Sequence, residues 1–254
     1  MRLVSALAIA FSTYSRIPMP HVDWSDDNRR HAMCFFPLIG VAIGALLIGW
    51  LALCDALTLP DVMAGAVAAV LPLWVSGGIH MDGFCDTMDA LSSWQPVERR
   101  LEILKDTHVG AFAVIGCVAY MALQLGVFSA ARAGAMAAQL ALGFVLSRSL
   151  SGWAVVSLRG AKSSGLLNAF AGASDRRVVR RVMVGYLLIA GGALLALGPV
   201  PGALGLAACA ASFLYYKEMA YRKFGGVTGD LAGYFLQVCE LAFAFAVALG
   251  WRFV

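Results

Sequence analysis

Charge is scarce in this chain. Only 13% of its 254 residues are Asp, Glu, Lys or Arg, against about 25% in soluble domains. Hydrophobic residues make up 61%, and the mean hydropathy is +0.79. So little charge with so much apolar surface excludes a disordered chain, a fibrous repeat and an ordinary water-soluble enzyme. A polytopic membrane protein is the class that fits. No CxxC occurs among Cys34, Cys54, Cys85, Cys117, Cys209 and Cys239. A disulfide framework and a zinc ribbon are therefore excluded, and the cysteines read as small buried hydrophobes. Long repeats, linkers and low-complexity tracts are also lacking, so residues 1–254 read as a single integral membrane domain.

What is present is a series of apolar stretches near the ~20 residues that cross ~30 Å of hydrocarbon. Seven qualify: Cys34–Cys54, Val62–Ser76, Gly110–Ala131, Ala133–Leu158, Val182–Gly198, Gly202–Tyr216 and Leu231–Trp251. The opening stretch Leu3–Thr13 is too short to span and has no small-residue cleavage site, so it reads as an interfacial or half-inserted helix. The fold class expected is all-α: a transmembrane helical bundle of about seven spans plus that short N-terminal helix. Gly40 and Gly44 share one helix face and permit close helix contact, most simply inside the protomer.

Basic residues are scarce on one side of these spans. Only Arg132 and Arg252 fall there, with Arg148 inside a span. The other sixteen lie in the tract before the first span and in the loops 77–109, 159–181 and 217–230. The positive-inside rule then makes the N-terminus cytoplasmic. The net charge of +4 is a topology signal, and nucleic acid is not an expected partner. Membrane lipid is one, through the basic run Arg176, Arg177, Arg180 and Arg181. The loops on the far side are minimal, so an active site should open to the cytoplasm.

The most informative stretch is Gly77-Gly78-Ile79-His80-Met81-Asp82-Gly83-Phe84-Cys85-Asp86-Thr87-Met88-Asp89. Asp82, Asp86 and Asp89 stand at i, i+4, i+7, which puts three carboxylates on one helix face. Like charges at that spacing repel. A hard divalent cation would relieve the repulsion, and Mg²⁺ is the natural choice if phosphates are also present. His80 is within reach of the same site if the chain turns at Gly77 and Gly78. Lys105 and Asp106 return a cation and a carboxylate to the same surface.

A second constellation precedes the last span. Gly225-Gly226-Val227-Thr228-Gly229-Asp230 could offer backbone N–H groups to phosphate. Asp230 and Gln237 share a helix face, and Glu240 lies about 80° round from it. Glu240 and Arg148 sit inside spans, roughly 14–15 Å below the cytoplasmic ends. Ionisable groups at such depth are functional candidates by default, and pairing offsets their cost. Arg148 is expected to contact Glu240 and to form the floor of the site. Metal-assisted phosphoryl transfer accounts for the whole set, with Lys or Arg steadying the developing charge. A transporter is the competing class, but it predicts polar residues spread over several spans.

The 77–89 stretch resembles the signature of the adenosylcobinamide-GDP ribazoletransferase family, also called cobalamin (5′-phosphate) synthase. So do Ser15-Arg16-Ile17-Pro18-Met19-Pro20, Phe36-Pro37-Leu38-Ile39-Gly40, Lys105-Asp106-Thr107-His108-Val109-Gly110, and 225–230 with Glu240 ten residues on. Ser147-Arg148 and Gly165–Phe170 are weaker matches. The matches follow family order from residue 15 to 240. The resemblance implies a multi-pass enzyme of the cell inner membrane, late in cobalamin biosynthesis. It would use Mg²⁺, held by Asp82, Asp86 and Asp89, to join adenosylcobinamide-GDP to α-ribazole or its 5′-phosphate and release GMP. Catalytic residues would be His80, Asp82, Asp86, Asp89, Lys105, Asp106, Arg148, Asp230 and Glu240. Cofactor contacts would come from Gly77, Gly78, Gly225, Gly226 and Thr228. The oligomeric state is left open. The chain departs from the pattern at Cys85, Met88, His108 and Tyr234, and none of these removes a carboxylate. A CDP-alcohol phosphotransferase is the runner-up, but it needs Ala-Arg after Asp-Gly, where Phe84-Cys85-Asp86 stands.

Overall fold

The computed structural model describes residues 2–161, 170 and 172–254. Its helices are α1 (Arg2–Tyr14), α2 (Asp26–Arg29), α3 (Phe36–Ala56), α4 (Asp61–Ser76), α5 (Ile79–Ser92), α6 (Val97–Ile103), α7 (Ala111–Ser129), α8 (Ala135–Ser157), α9 (Arg176–Leu197), α10 (Pro199–Phe224) and α11 (Gly229–Gly250). A 3₁₀ turn, Ala32–Phe35, leads into α3. Six segments are each long and apolar enough to cross a membrane: Asp26–Ala56, α7, α8, α9, α10 and α11. The seventh expected span is α4, which is followed at once by α5 at an angle of 96°. The architecture is a polytopic helical bundle with a short apolar helix, α1, at its start.

The 96° elbow follows from two glycines in succession. Gly77 has φ +69° and Gly78 has φ +83°. An L side chain in that left-handed region costs roughly 1–2 kcal/mol, so a pair of glycines is the local solution for so sharp a turn. After the elbow, α5 packs across α11 and α7. The crossing with α11 is backbone to backbone. A Cβ on Gly83 would lie 2.7 Å from the Asp230 carbonyl oxygen, and one on Gly233 would lie 2.9 Å from the His80 carbonyl oxygen.

At the centre, α8 is the most enclosed helix, with α3 and α9 as its main neighbours. Gly40 and Gly44 of α3 meet the Phe144 backbone and Ala141 of α8, so that small-residue face serves packing inside the protomer. At the opposite end from α5, Gln139 ties three elements together. Its amide donates to the carbonyls of Leu194 and Gly198 and accepts from the Trp251 indole. One face of α1 is buried through Ala6, Ile9 and Ala10 against the 3₁₀ turn and α3.

Two helices run past the expected spans. The α9 helix begins at Arg176 rather than Val182, because Asp175 accepts from the N–H groups of Arg177 and Val178 and caps it. The α10 helix begins at Pro199 and continues beyond Tyr216 through Lys217 and Lys223 to Phe224. An i, i+4 ion pair between Glu218 and Arg222 supports that charged extension. Hydropathy marks the apolar layer, whereas the helix itself continues out of it. The expected 217–230 loop therefore shrinks to the turn at 225–228. Of the Gly165–Phe170 match, only Phe170 is described, buried against Tyr14 with ring centroids 5.7 Å apart. Lys162 and the rest of that match lie outside the described residues.

Candidate active site

The α5 helix presents its three aspartates along one side, Asp82 exposed and Asp86 and Asp89 half-buried. Burial raises the Asp86 carboxyl pKa first, and the charges of Asp82, Asp230 and Asp89 push it further, to about 6. Asp230 thus belongs to the same acidic centre, although it stands in the first turn of α11. Its approach is possible because Gly83 has no side chain to hold the helices apart. Thr228 fixes the start of α11 by accepting from the Leu231 N–H at 3.2 Å, and its hydroxyl lies 3.5 Å from Asp230 Oδ2. Two elements about 140 residues apart in sequence form two walls of one acidic site.

Asp89 does not act as the spacing alone implied. Its Oδ2 accepts from the Gly110 N–H at 2.7 Å and its Oδ1 from the Ala113 N–H at 2.8 Å. It caps α7 from a neighbouring helix, in the way a side-chain oxygen satisfies the free N–H groups of a helix start. Among the described residues, no group of three His, Cys, Asp or Glu side chains is poised to hold a metal ion. Both Asp89 oxygens turn to α7, so the three aspartates do not converge on one point as the structure stands. Gly110 makes this contact by lacking a side chain, since a Cβ there would lie 2.6 Å from Asp89 Oδ1. Asp89→Ala is expected to cost about 1 kcal/mol through the lost cap. Gly110→Ala should cost a similar amount, because its new methyl displaces the carboxylate. The double variant should be no less stable than Asp89→Ala alone, a non-additivity readable as a double-mutant cycle in thermal unfolding. Additive losses would contradict this contact.

Lys105 and Asp106 stand in the loop that ends at Gly110. Lys105 is exposed, and Asp106 binds the ring and backbone N of His108 at 2.7 and 3.0 Å. Those bonds hold the Asp106 carboxyl below its usual pKa. The glycine turn also differs from expectation. Gly225 (φ +74°) ends α10, the Gly226 N–H donates to Ala220, and the Val227 N–H donates to Arg159. Neither the 226 nor the 227 N–H is left for phosphate, and Thr228 is a helix cap. Gly77 and Gly78 likewise serve the elbow, with the Gly78 N–H bound to Leu73.

Arg148 and Glu240 form the pair expected of them. Arg148 Nη1 lies 2.6 Å from Glu240 Oε1, which also accepts from Ser147 Oγ at 2.8 Å. Arg148 donates to the Phe144 carbonyl as well, and its guanidinium carbon lies 5.9 Å from the rings of Phe36 and Phe144. Arg148 is 1% and Glu240 6% exposed, so neither opens to the acidic centre or to a phosphate there. His80 sits beside this buried layer, stacked on Tyr14 and edge-on to Phe36. Among the described residues, its Nε2 has no hydrogen-bond partner. A cavity of about 10 Å³ lies against Glu240 and Gln124, room for about one water and far too small for a nucleotide. Sequence reasoning missed Gly83 and Gly233 as the crossing point and Gly110 as the partner of Asp89. Gly83 could have been found from its place between Asp82 and Asp86.

A family description, cobalamin-5-phosphate synthase, matches residues 6–248. The chain belongs to that family. Among similar proteins, the adenosylcobinamide-GDP ribazoletransferase of Lachnoclostridium phytofermentans is 45% identical over 98% of this chain and 95% of its own length. The protein of the same name from Pseudomonas savastanoi pv. phaseolicola is 34% identical over 96% of this chain and 98% of its own. That from Clostridium botulinum is 29% identical over 97% and 98%. No solved structure matches. The 77–89 and 225–230 motifs are the two walls that meet at Gly83.

Proposed function

We propose that this protein joins adenosylcobinamide-GDP to α-ribazole or its 5′-phosphate with release of GMP, at the acidic centre between α5 and α11. The observation that carries this reading is the crossing at Gly83, which sets Asp230 beside Asp82 and Asp86 in a member of this family. In the reaction a ribazole hydroxyl oxygen bonds to the phosphorus that carries the aminopropanol arm. The bond from that phosphorus to the GMP oxygen breaks, and the hydroxyl proton is given up.

Mg²⁺ fits the residues present. Asp82, Asp86 and Asp230 are hard oxygen donors whose mutual repulsion raises Asp86, and a cation relieves that repulsion. Mg²⁺ is commonly held by one or two carboxylates plus substrate phosphates, so a preformed three-residue cage is not required. When bound, it neutralises the pyrophosphate charge. The protein's own part is to hold those carboxylates on two helices that touch through glycine, and to keep α5 fixed to α7 through Asp89.

The acidic centre is read as facing the cytoplasm of a cell inner membrane. Sixteen of the nineteen Lys and Arg residues fall on its side of the spans, as the positive-inside rule requires. The whole chain is read as one membrane domain, supported by a core cluster that runs from Ile9 to Val247. Substrates reach the site from the cytoplasm, and lipid surrounds the rest.

Purified protein in lipid vesicles, given Mg²⁺, adenosylcobinamide-GDP and α-ribazole, should release GMP in a 1:1 ratio to the joined corrinoid. Release of CMP from a CDP-alcohol and lipid, with no GMP from the corrinoid substrate, would overturn the reading in favour of an alcohol phosphotransferase.

A further inference from the structure

The acidic centre needs a cation opposite it to receive a pyrophosphate, and Lys105, the expected one, stands exposed in its loop. Arg159 is placed differently. It follows α8 and runs beside the turn that leads to Asp230, in an isolated parallel bridge between Gly160 and Val227. The Val227 N–H donates to the Arg159 carbonyl at 2.9 Å, and the Ala161 N–H donates to the Val227 carbonyl at 3.0 Å. Gly226 (φ +159°) makes this approach possible, because a Cβ there would lie 2.6 Å from the Arg159 carbonyl oxygen.

The side chain is held as firmly as the backbone. Arg159 Nη2 donates to the Gly225 carbonyl at 3.2 Å, and the guanidinium carbon lies 5.6 Å from the centroid of the Tyr221 ring. The Tyr221 hydroxyl accepts from the Arg159 backbone N–H at 3.0 Å. An exposed arginine ordinarily keeps its rotamer freedom. Here one is oriented in advance, and among the described residues no carboxylate pairs with it. By contrast, Arg29, Arg30, Arg99 and Arg222 each have a carboxylate partner. Three residues of chain, at most ~11 Å, separate Val227 from Asp230.

We propose that Arg159 binds phosphate oxygens of the nucleotide-linked substrate, as the cationic arm beside the acidic centre. A planar guanidinium stacked on an aromatic ring presents N–H groups in the fork that phosphate oxygens match. Tyr221 acts on the ligand only through Arg159 and is a positioning residue. The inference rests on the proposed transferase reading for its substrate. The phosphate chemistry is shared with lipid headgroups, and the test separates the two.

Two measurements on the full-length protein decide it. The first is turnover in neutral phosphatidylcholine vesicles without anionic lipid. Arg159→Ala should raise KM for the GDP-linked substrate roughly 10- to 100-fold, as loss of a hydrogen bond to a charged group implies. It should leave KM for α-ribazole within about twofold. Arg159→Lys should restore little, and Tyr221→Leu should shift the same KM in the same direction. Arg99→Ala, whose guanidinium is already paired with Glu102, should behave as wild type. The second is calorimetric binding of GDP in neutral detergent, which needs no turnover and weakens in Arg159→Ala by the same factor. A wild-type enzyme that releases no GMP refutes the transferase reading, and the binding measurement still decides Arg159. Arg159→Ala with wild-type GDP affinity overturns the inference. So does a defect that appears only when anionic lipid is added, which would assign Arg159 to headgroups.

Discussion

Asp86→Asn is expected to lower turnover by on the order of 10²–10³-fold or more, the scale at which single preorganised electrostatic groups act, while leaving the protein folded. Asp86 is the carboxylate on which the charges of Asp82, Asp89 and Asp230 all bear. Asparagine keeps its shape and removes its charge. In metal-free buffer the variant should unfold at the wild-type temperature or above it, because one member of a mutually repelling set has been neutralised. Asp82→Asn should show the same pattern, loss of turnover without loss of stability, and Asp230→Asn should likewise lose turnover. The comparison with Asp89 is informative. There the carboxylate satisfies two backbone N–H groups, and its removal should cost stability first. Turnover of Asp86→Asn at the wild-type rate under limiting Mg²⁺ would remove the acidic centre from the mechanism.

The largest stability effect is expected at the Arg148–Glu240 pair. Removing one partner of a buried ion pair leaves an uncompensated charge and costs about 3–5 kcal/mol, whereas replacing both by apolar residues is often neutral. Whole-protein stabilities are only about 5–15 kcal/mol. Arg148→Met alone or Glu240→Leu alone should therefore greatly reduce the yield of monodisperse protein and its unfolding temperature. Arg148→Met combined with Glu240→Leu should recover most of both. Ser147 donates to Glu240 and Phe144 accepts from Arg148, and both charges are almost fully enclosed. Single variants that unfold with the wild type, or a double variant as poor as either single, would contradict a paired structural role.

Much of this architecture is legible in the order of residues. Apolar runs mark the spans because only ~20 apolar residues cross the hydrocarbon, and Arg148 and Glu240 could be paired because a charge at that depth needs a partner. The i, i+4, i+7 spacing placed three aspartates on one face of α5, and they lie there. The same spacing carried no information about what comes to meet that face. Asp89 stands two turns, roughly 10 Å, along α5 from Asp82, where the start of α7 arrives and takes its oxygens. The glycine turn at 225–226 was harder still. A glycine pair that cradles phosphate and one that ends a helix and admits a neighbouring stretch of backbone look alike in sequence. Only the hydrogen bonds to Ala220 and Arg159 tell them apart. Helix ends beyond the apolar layer were hidden for a related reason, as the charged residues Lys217, Glu218, Arg222 and Lys223 continue α10 without a break.

The central claim is that α5 and α11 supply two walls of one metal-dependent site, and electron paramagnetic resonance of Mn²⁺ in place of Mg²⁺ tests it most directly. Titrated into the full-length protein with the GDP-linked substrate bound, Mn²⁺ should occupy one tight site per protomer. Asp86→Asn on one wall and Asp230→Asn on the other should each abolish that site, while Asp106→Asn should leave it intact. Tight Mn²⁺ binding that survives both wall variants, or that is lost in only one of them, would contradict the account.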